Sequence, residues 1–283
     1  MKKIVVKTGL VLLAAILLLP ACKQTGKVKD QSVNAAGQTG VVEVGIFDAV
    51  QLKDQIVGTI QSAPKPNELA EFINAGGYSY MADLTVPLDN VEKYLTAVEQ
   101  SLAVGLYKFD MLYAKAFNRK DVVLQLYGVH DKLIRKLGLQ QELAGLEPLD
   151  ARVRANSENE DSLNVIIPEM MNKMAQSYAT GEHPGIYGLS YVASNIEGLY
   201  ILTQIAQMVK DNSGLIALLG QQKERVHANY MLLEMMSADE SVEPLFLKMK
   251  PILDYFNNNE INSAKQLADL APMIAGIRAD ILK

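Results

Sequence analysis

Apolar residues recur at intervals of three and four along most of the chain between Val41 and Lys283, and the strict alternation typical of strands is almost absent. In the stretch VEKYLTAVEQSLAVGLYKFDMLYAKAFN this pattern predicts one long amphipathic helix from Val91 to Phe117. The pattern resumes in VVLQLYGVHDKLIRKLGL, where Gly138 stands at the position of a helix carboxyl cap. Because only NRKD separates the two segments, we expect two antiparallel helices.

Further helical segments follow towards the carboxyl terminus. Pro184 stands in the first turn of HPGIYGLSYVASNIEGLYILTQIAQMVKDN, where a missing backbone N–H does no harm. The stretch SGLIALLGQQKERVHANYMLLEMMS and the segments that begin at Pro244 and Glu260 show the same spacing. Roughly eight to ten helices joined by short loops indicate a single all-α domain of antiparallel helix pairs.

One segment of this pattern occurs twice. GLYKFDMLYA begins at Gly105, and a blurred copy, GLYILTQIAQ, begins 93 residues later at Gly198, with the next turn and helix in step. We therefore expect two pseudo-repeated helix-turn-helix units. Glycine inside a helix costs roughly 1 kcal/mol relative to alanine, so each of these glycines is expected to mark a point where another helix approaches closely.

The amino terminus has the pattern of a targeting segment. In MKKIVVKTGLVLLAAILLLPACKQ, three lysines precede an apolar run from Gly9 to Leu19 that is too short to span a bilayer. The run ends in LLPAC, which resembles the lipobox of bacterial lipoproteins. Cys22, the cysteine of that motif, is the only cysteine in the chain, so a disulfide or a thiolate metal site has no second cysteine to use.

The lipobox resemblance implies cleavage before Cys22 and fatty acyl chains, of the palmitate type, on that cysteine, which would anchor the mature protein in the membrane. It divides the chain into a signal peptide (1–21), a lipidated cysteine with a polar, glycine-dotted tether (22–40) and a helical domain (41–283). Lys23 follows the cysteine, where an aspartate would resemble an inner-membrane retention signal. We therefore expect the outer membrane of a bacterial cell envelope, on its periplasmic face.

Cleavage would leave 24 basic and 32 acidic residues, a formal charge of −8, and such a surface makes nucleic acid an unsuitable partner. His130, His183 and His227 are the only histidines, and none has the spacing of a metal motif such as HExxH. The chain also lacks GxSxG, P-loop and GxGxxG motifs. The sequence therefore predicts no metal and no cofactor.

Candidate chemistry lies on two helix faces. At about 100° per residue, Tyr107, Asp110 and Tyr113 share one face of their helix, and a second tyrosine-rich face ends at Glu197, with Tyr200 pointing away from it. One interpretation is a tyrosine-lined cleft between the repeated units that binds a ligand or partner. The other is a core whose phenols bond one another and the two acids. The candidate residues are Tyr107, Asp110, Tyr113, Tyr187, Tyr191 and Glu197.

The same stretches resemble an uncharacterised family of helical lipoproteins from Bacteroidetes-type bacteria, whose members carry a segment like GVYGADLSYA. The likeness covers most of residues 60–210, including SAPKPNELAEFINAGGYSY, KLIRKLGL and NIEGLYILTQ. This chain departs from the pattern at Lys108 and Phe109, where small residues are usual, and at Asn195, where an aromatic is common. The resemblance implies an all-helical fold and an envelope location, but no known activity.

Two functional hypotheses remain open at this stage. The first is a non-enzymatic, lipid-anchored protein that binds an envelope protein, a peptide or a small ligand. The second is a hydrolase or isomerase that uses Asp110 or Glu197, since burial raises the pKa of a carboxyl group towards values suited to acid–base work. The second requires both carboxylates to converge on an accessible cavity. The methionines of the later helices, at 170, 171, 174, 231, 235 and 236, are expected to pack in the core.

Overall fold

The computed structural model describes residues 50–140, 147–156, 158–180 and 183–283, so the predicted signal peptide, Cys22 and the tether lie outside the described residues. Within these ranges the chain forms eleven α-helices and no strand, which confirms the predicted all-α fold. The helices belong to one compact unit. They are α1 (Val50–Ser62), α2 (Pro66–Ala75), α3 (Ala97–Ala116), α4 (Lys120–Lys136), α5 (Glu147–Ala155), α6 (Glu160–Thr180), α7 (Pro184–Met208), α8 (Ser213–Gly220), α9 (Lys223–Met236), α10 (Glu243–Asn258) and α11 (Ala264–Ile281).

The amino-terminal end of α3 corrects the sequence prediction. The helix begins at Ala97, not at Val91, because Thr96 and Glu99 form a capping box. The Thr96 hydroxyl accepts the Glu99 N–H at 3.2 Å, and the Glu99 carboxylate accepts the Thr96 N–H at 2.9 Å. This reciprocal pair satisfies backbone donors that the first turn of a helix leaves open. The preceding residues, Leu88–Glu92, instead form a short 3₁₀ turn.

The other end of this unit follows the prediction. α4 ends just before Gly138, whose φ of 73° lies in the left-handed region that favours glycine. Near that end the Lys136 ammonium donates to the Val91 carbonyl at 3.1 Å, which places the end of α4 beside the segment that leads into α3. α3 and α4 therefore run antiparallel, as their short connection predicts.

α7 is the central helix. Nearly every side chain from Pro184 to Ala206 is buried, and α1, α2, α3, α8, α9 and α11 all pack against it. A helix that is apolar on every side belongs in the interior of a domain. Polar side chains on this buried stretch depend on partners inside the protein, and the hydroxyls of Ser190 and Ser194 have none among the described residues.

The repeated glycines lie where α3 and α7 meet. A β-carbon at Gly105 would lie 2.2 Å from the Ser190 carbonyl oxygen, and one at Gly198 would lie 2.6 Å from the Phe109 ring. Both glycines are therefore close-contact positions, which confirms the sequence prediction. Residue numbers rise together along the two helices, since Gly105 meets Ser190 and Phe109 meets Gly198, so α3 and α7 run parallel. The two copies of the repeated unit pack directly against each other.

Candidate functional site

The segment between α2 and α3, residues 76–96, is attached to the helices around it through side chains; we call it the strap. Four bonds attach it between Met81 and Pro87. The Met81 N–H donates to the Tyr113 hydroxyl (3.1 Å), the Val86 N–H donates to Asp110 Oδ2 (2.8 Å), the Tyr107 hydroxyl donates to the Pro87 carbonyl (2.7 Å), and Arg278 Nη2 donates to the Leu84 carbonyl (3.0 Å). Three of the six predicted site residues, Tyr107, Asp110 and Tyr113, thus bind the backbone of the strap.

Beside the strap, two acids and one arginine are enclosed together. Arg278 on α11 donates to both oxygens of Glu197, at 2.6 and 2.7 Å, in the bidentate geometry of strong guanidinium–carboxylate pairs. The side chains of Asp110 and Glu197 are 0% exposed, and Arg278 is 9% exposed. The ring of Tyr200 covers the guanidinium at 4.0 Å. We call Asp110, Glu197 and Arg278 the carboxylate cluster.

The two acids of this cluster hold one proton between them. Asp110 Oδ2 accepts the Val86 N–H, but Asp110 Oδ1 has no donor among the described residues. The Glu197 carboxyl group lies within hydrogen-bonding range of Asp110, and two ionised carboxylates cannot bond each other. Since one arginine offsets only one negative charge, one of the acids holds the proton.

Asp110 is the acid that keeps it. Burial raises the pKa of Asp110 well above its usual range, and the neighbouring Glu197 charge raises it further. Burial also raises the pKa of Glu197, but the two bonds from Arg278 oppose that effect. The raised pKa of Asp110 therefore favours a cluster of a neutral Asp110, an ionised Glu197 and a charged Arg278, with no net charge.

Two buried phenols border the carboxylate cluster. Burial raises the pKa of Tyr94 to about 12, and the charge of Glu197 contributes in the same direction. Burial also raises the pKa of Tyr107, with smaller contributions from Tyr94 and Asp110. Both phenols are neutral at physiological pH, and the Tyr94 hydroxyl has no hydrogen-bond partner among the described residues. They belong to the buried surroundings of the ion pair between Glu197 and Arg278, where the low local dielectric strengthens that pair.

A second polar cluster lies at the other side of α7. Arg225 on α9 is 2% exposed, and all of its partners among the described residues are neutral oxygens. These are Asn195 Oδ1 (2.6 Å), Gln222 Oε1 (2.8 Å), the Pro64 carbonyl (3.2 Å) and the Lys65 carbonyl (3.2 Å). Asn195 in turn donates to Asn229 at 2.9 Å. We call Asn195, Gln222, Arg225 and Asn229 the amide cluster; it holds the connection between α1 and α2.

The six residues of the predicted cleft therefore lie in separate parts of the fold. Tyr107, Asp110, Tyr113 and Glu197 surround the strap, and all four are 0% exposed. Tyr191 belongs to the other side, where its hydroxyl donates to the Pro64 carbonyl at 2.8 Å.

Tyr187, which is 5% exposed, precedes Glu197 by ten residues, about 15 Å along a helix, and so does not reach the carboxylate cluster. Tyr200, predicted to point away from the acids, is joined to them through Arg278. The hydroxyls of Tyr107, Tyr113 and Tyr191 bond backbone atoms, which differs from the core arrangement that the sequence suggested.

Two of the three positions at which the sequence departs from the Bacteroidetes-type pattern, Phe109 and Asn195, have partners in the structure. The Phe109 ring fills the space over Gly198, so a large residue on α3 matches a missing side chain on α7. Asn195, where an aromatic is common, supplies an acceptor to the buried Arg225. Sequence reasoning missed Arg225 and Arg278. A lone arginine among apolar residues, as in APMIAGIRADI, was the available signal for Arg278.

The histidines lie on separate elements. His130 is buried on α4, where burial lowers its pKa to about 3; His183 precedes α7; and His227 is exposed on α9. In the described ranges no group of three or more His, Cys, Asp or Glu side chains is arranged to hold a metal ion. None of the helices in those ranges is long and apolar enough to cross a bilayer.

Comparison of this chain with protein-family models, with curated proteins and with solved structures gives no match. The likeness to helical Bacteroidetes-type lipoproteins therefore stays an expectation. The features of the chain that bear on its function are the buried carboxylate cluster, the buried amide cluster and the surface around them.

Proposed function

We propose that this protein is a lipid-anchored component of a bacterial cell envelope, attached through acyl chains on Cys22 to the periplasmic face of the outer membrane, and that its helical body binds another envelope component without catalysing a reaction. The observation that carries the anchoring is the position of the only cysteine, directly after a basic region, an apolar run and the small residue Ala21. Stable attachment by more than one acyl chain needs no spanning helix.

Burial of the acids supports a binding role over an enzymatic one. A hydrolase or isomerase based on Asp110 and Glu197 needs a substrate within hydrogen-bonding reach of the carboxyl groups. Both side chains are 0% exposed, and their bonding capacity is directed to Arg278, the strap and each other. On this proposal the two acids are buried because they hold the strap in place. The partner is therefore recognised by the outer surface of the protein.

The anchoring half is tested by metabolic labelling with a fatty acid. Cys22→Ser should abolish labelling and leave the precursor unprocessed, because no other cysteine can accept the lipid. Lys23→Ser is the matched control, since it alters the neighbouring residue and leaves the motif intact. Labelling of Cys22→Ser at the wild-type level would contradict the proposal.

The binding half is tested by capture of the anchored protein from native membranes, followed by mass spectrometry. We expect the same co-purifying envelope protein or ligand with wild type and with Asp110→Asn, because the carboxylate cluster does not face the surface. Loss of capture by a folded Asp110→Asn protein would favour the enzymatic alternative, and it would make the cluster a functional site.

A further inference from the structure

A groove of about 940 Å³ lies between α1 and α9 on the surface of the protein. The two helices run antiparallel, since Arg225 at the start of α9 bonds Pro64 after the end of α1, while Ile56 and Met236 both contact Gly188. The residues that line the groove include Asp54, Gly58, Glu68, Glu224, Met231 and Met235.

The lining combines an apolar floor with an acidic rim. Met231 and Met235 are only partly buried, whereas the adjacent Met236 is 1% exposed and packs in the core, so the predicted packing role holds fully only for the last of these three methionines. Partly exposed methionines suit adaptable apolar recognition, because the unbranched thioether chain adjusts to different partners. Asp54, Glu68 and Glu224 surround this floor as exposed acids, and no lysine or arginine is among the lining residues.

The dimensions of the groove suit a helix. On α9 the lining positions recur at intervals of three and four from Glu224 to Met235, which spans about 16 Å at 1.5 Å per residue. On α1 they recur in the same way from Asp54 to Ser62. A groove between two packed helices accepts a third at the usual interaxial distance of about 8 to 10 Å, provided that small residues lie at the contact. Gly58 and Ala228 provide them.

Gly58 strengthens this interpretation. Gly105 and Gly198 are both explained by a neighbouring helix in the fold, but a β-carbon at Gly58 would meet no atom within 4 Å. A glycine inside a helix without an internal contact costs stability and gains nothing within the domain. Gly128 on α4 and Gly276 on α11 are equally open, but neither lines this groove, which makes them suitable controls.

We propose that the groove between α1 and α9 binds a basic amphipathic helix of a partner protein, about three turns long, whose apolar face covers Met231 and Met235 and whose lysines or arginines meet Asp54, Glu68 and Glu224. This inference rests on the proposed function, because it identifies the surface and the partner chemistry of the same binding role. Helix-in-groove recognition obtains its affinity from the buried apolar anchors, and its specificity for a basic partner comes from the charged rim.

The test is a selection from a library of random peptides of about 11 to 14 residues, the helix length that the groove admits, against the full chain in a nonionic detergent. We expect the enriched peptides to carry net positive charge with apolar residues at intervals of three and four. Gly58→Leu should weaken their binding at least tenfold, because it fills the contact position. Gly128→Leu should leave binding unchanged, although it introduces the same side chain at an open helical glycine. Glu224→Lys should weaken binding to a similar extent as Gly58→Leu.

Neutral or acidic peptides among the enriched sequences, enrichment of no peptide, or equal binding by Gly58→Leu and wild type would each overturn the inference. A dimer in sedimentation that Gly58→Leu dissociates would overturn it as well, by making a second copy the occupant. Circular dichroism should show both leucine variants to be as helical as wild type.

Membrane capture separates this inference from the proposed function. Capture that succeeds with Gly58→Leu would locate binding elsewhere and leave the proposed function standing. Capture that fails with wild type would contradict the proposed function.

Discussion

The carboxylate cluster and the amide cluster both border α7, and each uses a buried arginine to hold a connecting segment. They differ in charge. Arg278 is paired with Glu197, and Asp110 lies beside that acid with its proton, whereas Arg225 donates to four neutral oxygens and contacts no carboxylate among the described residues. Burial without an ion pair lowers the pKa of Arg225, while the bonds to Glu197 raise that of Arg278. Two similar connections are thus stabilised by different electrostatics.

This difference predicts which cluster is more sensitive to mutation. Removal of one member of a buried ion pair leaves its partner charged in a medium that solvates it poorly. Removal of a lone buried cation costs hydrogen bonds but also relieves the penalty of burying the charge. The protein should therefore tolerate the loss of Arg225 better than the loss of Arg278.

The largest effect is expected for Arg278→Met. At pH 7 the variant leaves Glu197 without a counter-ion and the Leu84 carbonyl without its donor, and the free energy of unfolding should fall by about 3 to 5 kcal/mol in urea denaturation. The double variant Arg278→Met/Glu197→Gln should recover part of that loss, because no uncompensated charge remains. A double variant no more stable than Arg278→Met would show that lost packing, and not charge, dominates.

A smaller effect is expected for Arg225→Met. The change removes donors to Pro64 and Lys65 but creates no unpaired charge, so the loss in the same denaturation experiment should be about 1 to 3 kcal/mol. If the free energy of unfolding falls as much as in Arg278→Met, or more, the proposed difference between the two clusters is wrong.

The smallest effects are expected for single phenols. Tyr107→Phe removes the hydroxyl that bonds the Pro87 carbonyl and should cost about 0.5 to 1.5 kcal/mol. Tyr191→Phe should cost less, because the Pro64 carbonyl keeps its bond from Arg225. Thermal unfolding of the two variants side by side distinguishes them. A larger loss for Tyr191→Phe would indicate that the amide cluster depends on that phenol more than its geometry suggests.

The sequence was sufficient where local rules decide. The spacing of apolar residues predicted an all-α domain, Gly138 and Pro184 were found at the ends of their helices, and the offset of 93 residues between Gly105 and Gly198 correctly aligned the turn that precedes α8. The late start of α3 could also have been predicted, since Thr96 and Glu99 have the spacing of a capping box.

The sequence was insufficient where partners are distant along the chain. Periodicity brought Tyr107, Asp110 and Tyr113 to one face, but their partners are backbone atoms of the strap, which no side-chain pattern identifies. α7 is apolar all round, so its pattern does not indicate which neighbour Glu197 meets. That neighbour, Arg278, is 81 residues away. Pairings of this kind are set by tertiary packing and have no local signal.

The central claim, that Asp110 is buried with a proton, predicts the pH dependence of Asp110→Asn. Below about pH 4, the usual pKa of an aspartate, the acid is protonated in both the folded and the unfolded chain. As the pH rises, the unfolded chain releases the proton and the folded chain retains it, because the folded pKa is raised. The wild type therefore loses stability relative to the asparagine variant, by up to about 1.4 kcal/mol per pH unit, until the pH reaches the raised pKa.

The most direct test is the free energy of unfolding of wild type and Asp110→Asn measured between pH 4.5 and 7, with Asp121→Asn as the control because Asp121 is exposed and its pKa is lowered by Arg119. The account predicts that Asp110→Asn gains stability over wild type steadily as the pH rises, because only the wild type retains in its folded form a proton that its unfolded chain releases. The amide replaces the lost carboxyl proton as a donor to Glu197. Asp121→Asn should show no such gain. A pH-independent difference, or an Asp110→Asn variant that becomes less stable than wild type as the pH rises, would contradict the account and show that Asp110 is ionised in the folded protein.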